Sequence, residues 1–243
     1  MRSGFFALYN ETMEPVMYGK VHLSFLITGM VTISLLLPVF RRKEYRIRVK
    51  VISRVSMILI LLEVCKQLYC TYVMNGGTYS WWIFPFQLCS VPMYLGAALP
   101  YLKQKGQETV CGFLAAYTFT GAVLALLYPE DMMKNGLILM CHSFFYHFAI
   151  LFESLLVISS RMYGDKFYRI FILFLVLSGI AELINLIVPA DCFYISPYYI
   201  QSQPVFDVIA EKLGIWPEIV IYLLSLSLFC FLLFRILVKY RHA

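Results

Sequence analysis

The stretch Gly136–Ser160 constrains this chain most: it is an apolar run that also holds His142, His147 and Glu153. A run of about 20 apolar residues is long enough to cross a bilayer as a helix. Ionisable side chains inside such a run cost free energy unless they face a protein interior or a wet cavity. The chain therefore has to supply partners for these groups at their depth.

Six further runs have the same character: Val21–Phe40, Val51–Val73, Trp82–Tyr101, Val110–Tyr128, Ile170–Val188 and Ile215–Val238. Each reaches crossing length at about 1.5 Å per residue. The joins carry breakers, namely Gly76-Gly77, Pro129, Gly164 and Pro189. The pattern predicts an all-α membrane protein, a single bundle of seven transmembrane helices occupying residues 1–243. Composition agrees, with 61% hydrophobic and 14% charged residues and a mean hydropathy of +0.76, far from a soluble domain. Met1–Gly19 mixes polar and aromatic residues, and no cleavable leader is expected there.

The formal charge of +6 does not read as a nucleic-acid surface, because the basic residues sit in short runs between apolar segments. Arg41, Arg42, Lys43, Arg46, Arg48, Lys50 and Arg54 surround the first connection; Lys103 and Lys105 follow the third run. Arg161, Lys166 and Arg169 follow the fifth, and Arg235, Lys239 and Arg241 close the seventh. The other side has only Arg2, Lys20, Lys134 and Lys212, with Lys66 inside a run. This bias predicts an outside N-terminus and a cytoplasmic C-terminus, in the cell membrane. In the long outer connection, Val205–Leu213 has apolar residues at helical spacing, with Asp207, Glu211 and Lys212 on the other face. A short interfacial helix and a solvated loop both fit that stretch.

With that orientation, Glu63, Lys66 and Gln67 fall in the outer half of the second run, and Glu182 and Asn185 in the outer half of the sixth. Helical rise puts Gln87 and Cys89 about 8–11 Å below the outer end of the third run, and His142 and His147 about 9 and 17 Å down the fifth. Each pair has a plain structural reading: Glu63 and Lys66 as neighbours on one face, Glu182 and Asn185 as interhelical glue. Glu153 lies in the inner half and reads as structural. The convergence of the others on one slab argues for an outward-opening polar cavity. Within it, cysteine and histidine are the chemically useful pair, since a nearby base or imidazolium activates a thiol. His142 and His147 lie about 140° apart around a helix, and periodicity does not choose between them. The seven cysteines show no metal-type spacing, and no metal or cofactor is expected. Cys70 and Cys192 lie near predicted outer ends, where a disulfide is conceivable but not favoured.

Phe84-Pro85-Phe86-Gln87-Leu88-Cys89-Ser90 resembles the "LPLHLCS" stretch of the bacterial YwaF-type integral membrane proteins. These are related to eukaryotic transmembrane protein 164, an acyltransferase that remodels ether phospholipids through a cysteine–histidine pair. His22 matches a histidine of the family's opening helix, and Ser143-Phe144-Phe145-Tyr146-His147 resembles its aromatic stretch ending in histidine. Asn185 with Asp191-Cys192-Phe193-Tyr194 resembles the end of its sixth helix, and Gly214-Ile215-Trp216-Pro217 its entry to the seventh. The resemblance runs in order along nearly the whole chain. It implies Cys89 as nucleophile and His147 as base, with His142 in support. Gln87 stands where the family has a histidine, and Asp191 where asparagine is common, so a second base near Cys89 is missing.

The expected function is lipid acyl transfer or acyl hydrolysis in the bilayer, with a phospholipid or lysophospholipid as substrate. Gln87, Ser90 or Asn185 would offer a donor to the carbonyl oxyanion. The competing expectation is a transporter or small-ligand-binding protein whose cavity charge is set by Glu63, Lys66 and Glu182. A retinal protein is disfavoured, because the seventh run holds no lysine before Lys239. No internal repeat or pair of broken helices stands out in the sequence, which argues against a secondary transporter.

Overall fold

Apolar runs with no water to bond their backbone must satisfy it internally, and in this chain they do so as helices. The computed structural model describes residues 16–133, 136–199 and 203–242, and among these there is no strand. Arg2 and Lys134, counted above for orientation, lie outside the described residues, as does most of Met1–Gly19. The helices are α1 (Lys20–Arg41), α2 (Tyr45–Leu68), α3 (Val91–Ala98), α4 (Gln104–Leu127), α5 (Glu130–Met133), α6 (Gly136–Ser159), α7 (Phe167–Ile187), α8 (Pro204–Leu213) and α9 (Ile215–His242). Among the described residues, α1, α4, α6, α7 and α9 are each long and apolar enough to cross a membrane. The chain is a multi-pass integral membrane protein.

The second and third runs depart from expectation. Helix α2 starts at Tyr45 rather than Val51 and ends in a wider π-type turn, Tyr69–Met74. It has the length to cross but carries Arg54, Glu63 and Lys66 within its apolar part. The third run, Trp82–Tyr101, is not one helix. It consists of a 3-10 turn Trp81–Ile83, a non-helical stretch 84–90, the eight-residue α3, and a second 3-10 turn Leu99–Tyr101. Eight residues rise only about 12 Å, well short of a hydrocarbon core about 30 Å thick. Depths counted along a continuous helix for Gln87 and Cys89 therefore do not apply.

Proline explains the break. Pro85 has no N–H to donate and drives Phe84 into an extended conformation (φ −54°, ψ 129°). Pro92 then sits in the first turn of α3, where a missing N–H costs nothing. Non-helical backbone at membrane depth persists only where protein or a wet cavity satisfies it. Here neighbouring side chains supply the donors. Gln67 Nε2 donates to the Ile83 carbonyl at 2.7 Å, the Tyr94 hydroxyl to Pro85 at 2.9 Å, and the Tyr146 hydroxyl to Ser90 at 3.4 Å.

Helices α4 and α6 form the centre of the bundle. The residues Val110–Thr118 of α4 are all buried, and α6 buries Phe144, Tyr146, Ile150 and Glu153 among others. Helix α6 packs against α1, α2 and α4, while α4 also packs against α7 and α9. A π-type stretch, Leu114–Thr118, interrupts α4 at this crossing. Tyr117 there stacks on Phe174 with ring centres 4.4 Å apart. Helix α8 forms over Pro204–Leu213, which decides between the helix and the loop, and packs on α9 through Phe206 and Tyr222. Gly214 (φ 91°) makes the corner between them in a region other residues avoid.

Candidate functional site

Cys89 lies just before α3, with Ser90 at the N-cap position. A turn closed by Ser90 N–H donating to the Gln87 carbonyl at 2.8 Å delivers it there. Cys89 is half-buried as a residue, and the Ser90 hydroxyl and the Cys89 amide are the hydrogen-bond neighbours of its sulfur. A helix N-terminus presents unpaired N–H groups and the positive end of the helix dipole to whatever sits beside it.

Lys66, on α2, is a cation of this region. It acts electrostatically on Cys89, His142 and His147 together. Its Nζ is 2.8 Å from Glu63 Oε1, and the same oxygen accepts from Gln67 Nε2 at 2.6 Å. Glu63 Oε2 is 3.9 Å from His142 Nε2. The neutralising pair Glu63–Lys66 is thus real, and the polar set extends past it. Tyr79 donates to Gln67 Oε1 at 2.8 Å, so Gln67 links the ion pair to the broken third span.

The two histidines differ in wiring. His147 Nδ1 is 2.8 Å from the Ser143 carbonyl, which can only accept. The proton of a neutral His147 therefore sits on Nδ1, and Nε2 is left with a free lone pair. His142 Nε2 is buried without a hydrogen-bond partner beside Glu63. Tyr146 lies between them, 6.0 Å from the His142 ring and 5.9 Å from the His147 ring, centre to centre. Cys89, Glu63 and Glu153 all act electrostatically on its phenol. No hydrogen bond among the described residues joins Cys89 to either imidazole. The structure brings Cys89, Ser90, Lys66, Glu63, His142 and His147 to one region around Tyr146.

Gln87 and Asn185 belong to a different piece of the architecture. Gln87 Nε2 donates to the Asp191 carbonyl at 2.8 Å, and its Oε1 accepts from Phe193 N–H at 3.0 Å. Asn185 Nδ2 donates to the Cys192 carbonyl at 3.1 Å, and its Oδ1 accepts from Cys192 N–H at 2.7 Å. The two amides hold residues 191–193 from two sides. The held segment is buried and ends in Phe193 (φ 63°), followed by the half-buried Tyr194 (φ 57°), left-handed positions unusual for such side chains. Asp191 accepts Ser196 N–H at 2.8 Å and caps the same turn. Cys192 and Cys70 are both free thiols. Burial, then the Asp191 carboxylate, pushes the Cys192 thiol up to about 11.

Three further candidates lie apart. His22 is fully buried and accepts Tyr18 N–H on Nδ1 at 3.0 Å, so Nε2 donates to the Leu126 carbonyl at 3.0 Å. It pins the start of α1 to the end of α4. Trp216 is exposed at the start of α9, the position of an interfacial anchor. Glu182 leaves Oε2 buried without a hydrogen bond on the face of α7 that also carries Ser178 and Asn185. Glu153 accepts from Ser56 Oγ at 2.8 Å, as suits a structural buried acid.

Sequence reasoning placed Gln67 in the polar layer without a task for it, and missed Tyr94 and Tyr146. The signal was Pro85, Pro92 and Pro100 inside one apolar run. Prolines at that density break a helix, and a broken helix in a membrane needs polar side chains beside it. Among the described residues no group of three histidine, cysteine or acidic side chains is placed to hold a metal ion.

Residues 17–238 match the model of the TMEM164 family. No curated protein and no solved structure gives a significant match.

Proposed function

Because the chain belongs to the TMEM164 family, we propose that it transfers acyl groups between lipids, with Cys89 as nucleophile and His147 as base. The observation that carries this reading is the placement of Cys89 at the start of α3, under the field of Lys66 and beside the Ser90 hydroxyl. The free lone pair of His147 Nε2, fixed by the Nδ1 contact to Ser143, supports the second role.

In this reading His147 Nε2 takes the Cys89 proton, and the sulfur attacks the ester carbonyl of a phospholipid. The tetrahedral oxyanion is met by the Ser90 hydroxyl and the positive end of α3. The ester C–O bond breaks, the lysophospholipid oxygen takes the proton from His147, and a thioester remains on Cys89. A lysophospholipid hydroxyl then attacks the thioester as His147 takes its proton, the C–S bond breaks, the acyl group leaves on the new ester, and His147 returns the proton to the sulfur. Gln87 and Asn185 hold the 191–193 turn and take no chemical part. The run Trp82–Tyr101 crosses as a broken span, making seven crossings with the N-terminus outside and the C-terminus cytoplasmic, as the basic connections favour.

The broken span also favours a second reading, in which the same cavity binds a solute without catalysis, as discontinuous helices do in transporters. One experiment separates the two. Purified protein in lipid nanodiscs receives a labelled phospholipid and a lysophospholipid, beside Cys89→Ala and His147→Ala. Acyl transfer lost in both variants, with a thioester trapped on wild-type Cys89, establishes the enzyme. No acyl movement across a broad lipid panel, with Cys89 unlabelled by acyl probes, sinks it.

A further inference from the structure

At the opposite end of the bundle, a groove of about 770 Å³ opens between the start of α7 and the last turns of α9. Its floor is aromatic: Phe167 lies 5.2 Å from Phe231 and 5.7 Å from Phe234, ring centre to ring centre. Its rim is cationic, formed by the exposed side chains of Lys166, Arg235 and Lys239. The one acid in the lining, Asp165, is already held by Arg241 at 2.8 Å. None of the three rim cations has a carboxylate partner among the described residues.

Both walls are helices long and apolar enough to cross the membrane, and the groove lies where both reach their ends. The rim therefore sits at headgroup level, and the flank of α9 below it, with Phe231, Leu228 and Leu224 exposed, faces acyl chains. The Arg235 guanidinium carbon lies over the Phe231 ring, 6.0 Å from the ring centre, which ties the cation to the aromatic floor. A zwitterionic headgroup would bring its own cation against three uncompensated ones. A headgroup with net negative charge would not.

We propose that this groove binds an anionic phospholipid of the adjacent leaflet, its phosphate on Lys166, Arg235 and Lys239 and its first methylenes on Phe167 and Phe231. Basic pockets between membrane helices at headgroup level suit such lipids. The inference rests on the placement of α7 and α9 alone and is independent of acyl-transfer activity.

The test is native mass spectrometry of the full chain released from detergent with phosphatidylglycerol or phosphatidylcholine of matched chains. Wild type is expected to retain phosphatidylglycerol preferentially. The triple variant Lys166→Gln, Arg235→Gln, Lys239→Gln is expected to lose on the order of 100-fold in that affinity, at roughly fivefold per cation. These exposed changes should leave the melting temperature without lipid unchanged. A control triple, Arg41→Gln, Arg42→Gln, Lys43→Gln, keeps the charge loss but spares the groove, and is expected to retain the lipid. Equal retention of both lipids by wild type, or undiminished binding in the groove variant, overturns the proposal. Equal loss in the control triple overturns it as well, since net charge alone would then explain binding. An excess of inorganic phosphate that strips the lipid completely would show a phosphate site without lipid contacts, and also overturns it.

Discussion

Gln87 Nε2 donates to the Asp191 carbonyl at 2.8 Å across a sequence separation of 104 residues, closing the broken third span against the turn after α7. The same amide accepts Phe193 N–H, so one side chain satisfies two backbone groups of a buried turn. Gln87→Leu is expected to cost about 2–4 kcal/mol, because both groups lose their partner while buried. Gln87→Glu keeps the acceptor, loses the donor and does not restore stability. Thermal midpoints in detergent, followed by tryptophan fluorescence, check the order wild type, then both variants. A Gln87→Leu protein as stable as wild type would contradict the clamp.

The Glu63–Lys66 pair makes a sharper prediction. Glu63 is buried and Lys66 only partly exposed, so removing either charge leaves the other poorly solvated. Glu63→Ala alone is expected to cost about 3–5 kcal/mol. The double variant Glu63→Gln, Lys66→Met should be less damaging than the sum of the singles, with a coupling of about 1–3 kcal/mol in a double-mutant cycle. Strict additivity would mean that the pair is solvated and that the two charges do not depend on each other.

Gly96 permits the close approach of α3 to α2. A Cβ at that position would collide with Ser56 Oγ, the hydroxyl that donates to Glu153, and would crowd Ile52. Gly96→Ala is therefore expected to destabilise by about 1–3 kcal/mol. Adding Ser56→Gly removes the collision but leaves Glu153 without its donor, so rescue should be partial. Full rescue would show that Glu153 does not need Ser56.

Cys192 sets an alkaline limit. An unfolded cysteine releases its proton near pH 9, while the folded thiol holds it to about 11. Between these values the folded state binds more protons than the unfolded state, so stability falls as pH rises through that window. Melting temperatures from pH 8 to pH 11 should decline less in Cys192→Ala than in wild type, after allowing for the lost packing. Parallel curves would assign the alkaline loss to other groups.

Sequence position puts Gln87 and Asn185 in the same polar layer as Cys89, which makes them candidates for the site. In the structure their amides are taken up by the backbone of residues 191–193. Such a pairing joins residues far apart in the chain, and no local pattern encodes it. An aromatic residue in an apolar helix reads as packing, and only the position of Tyr146 beside Ser90 gives its hydroxyl a task.

By itself the sequence determined the membrane class, the helical secondary structure, the breaks between spans and the family. These follow from run length, hydropathy and residue order, which are local properties. The tertiary structure decided that Trp82–Tyr101 is broken, that Cys89 starts a short helix, and that Lys66 is the cation shared by the thiol and both histidines. Those outcomes depend on where freed backbone groups find donors. In a medium without water, that is settled only when the neighbouring helices have packed.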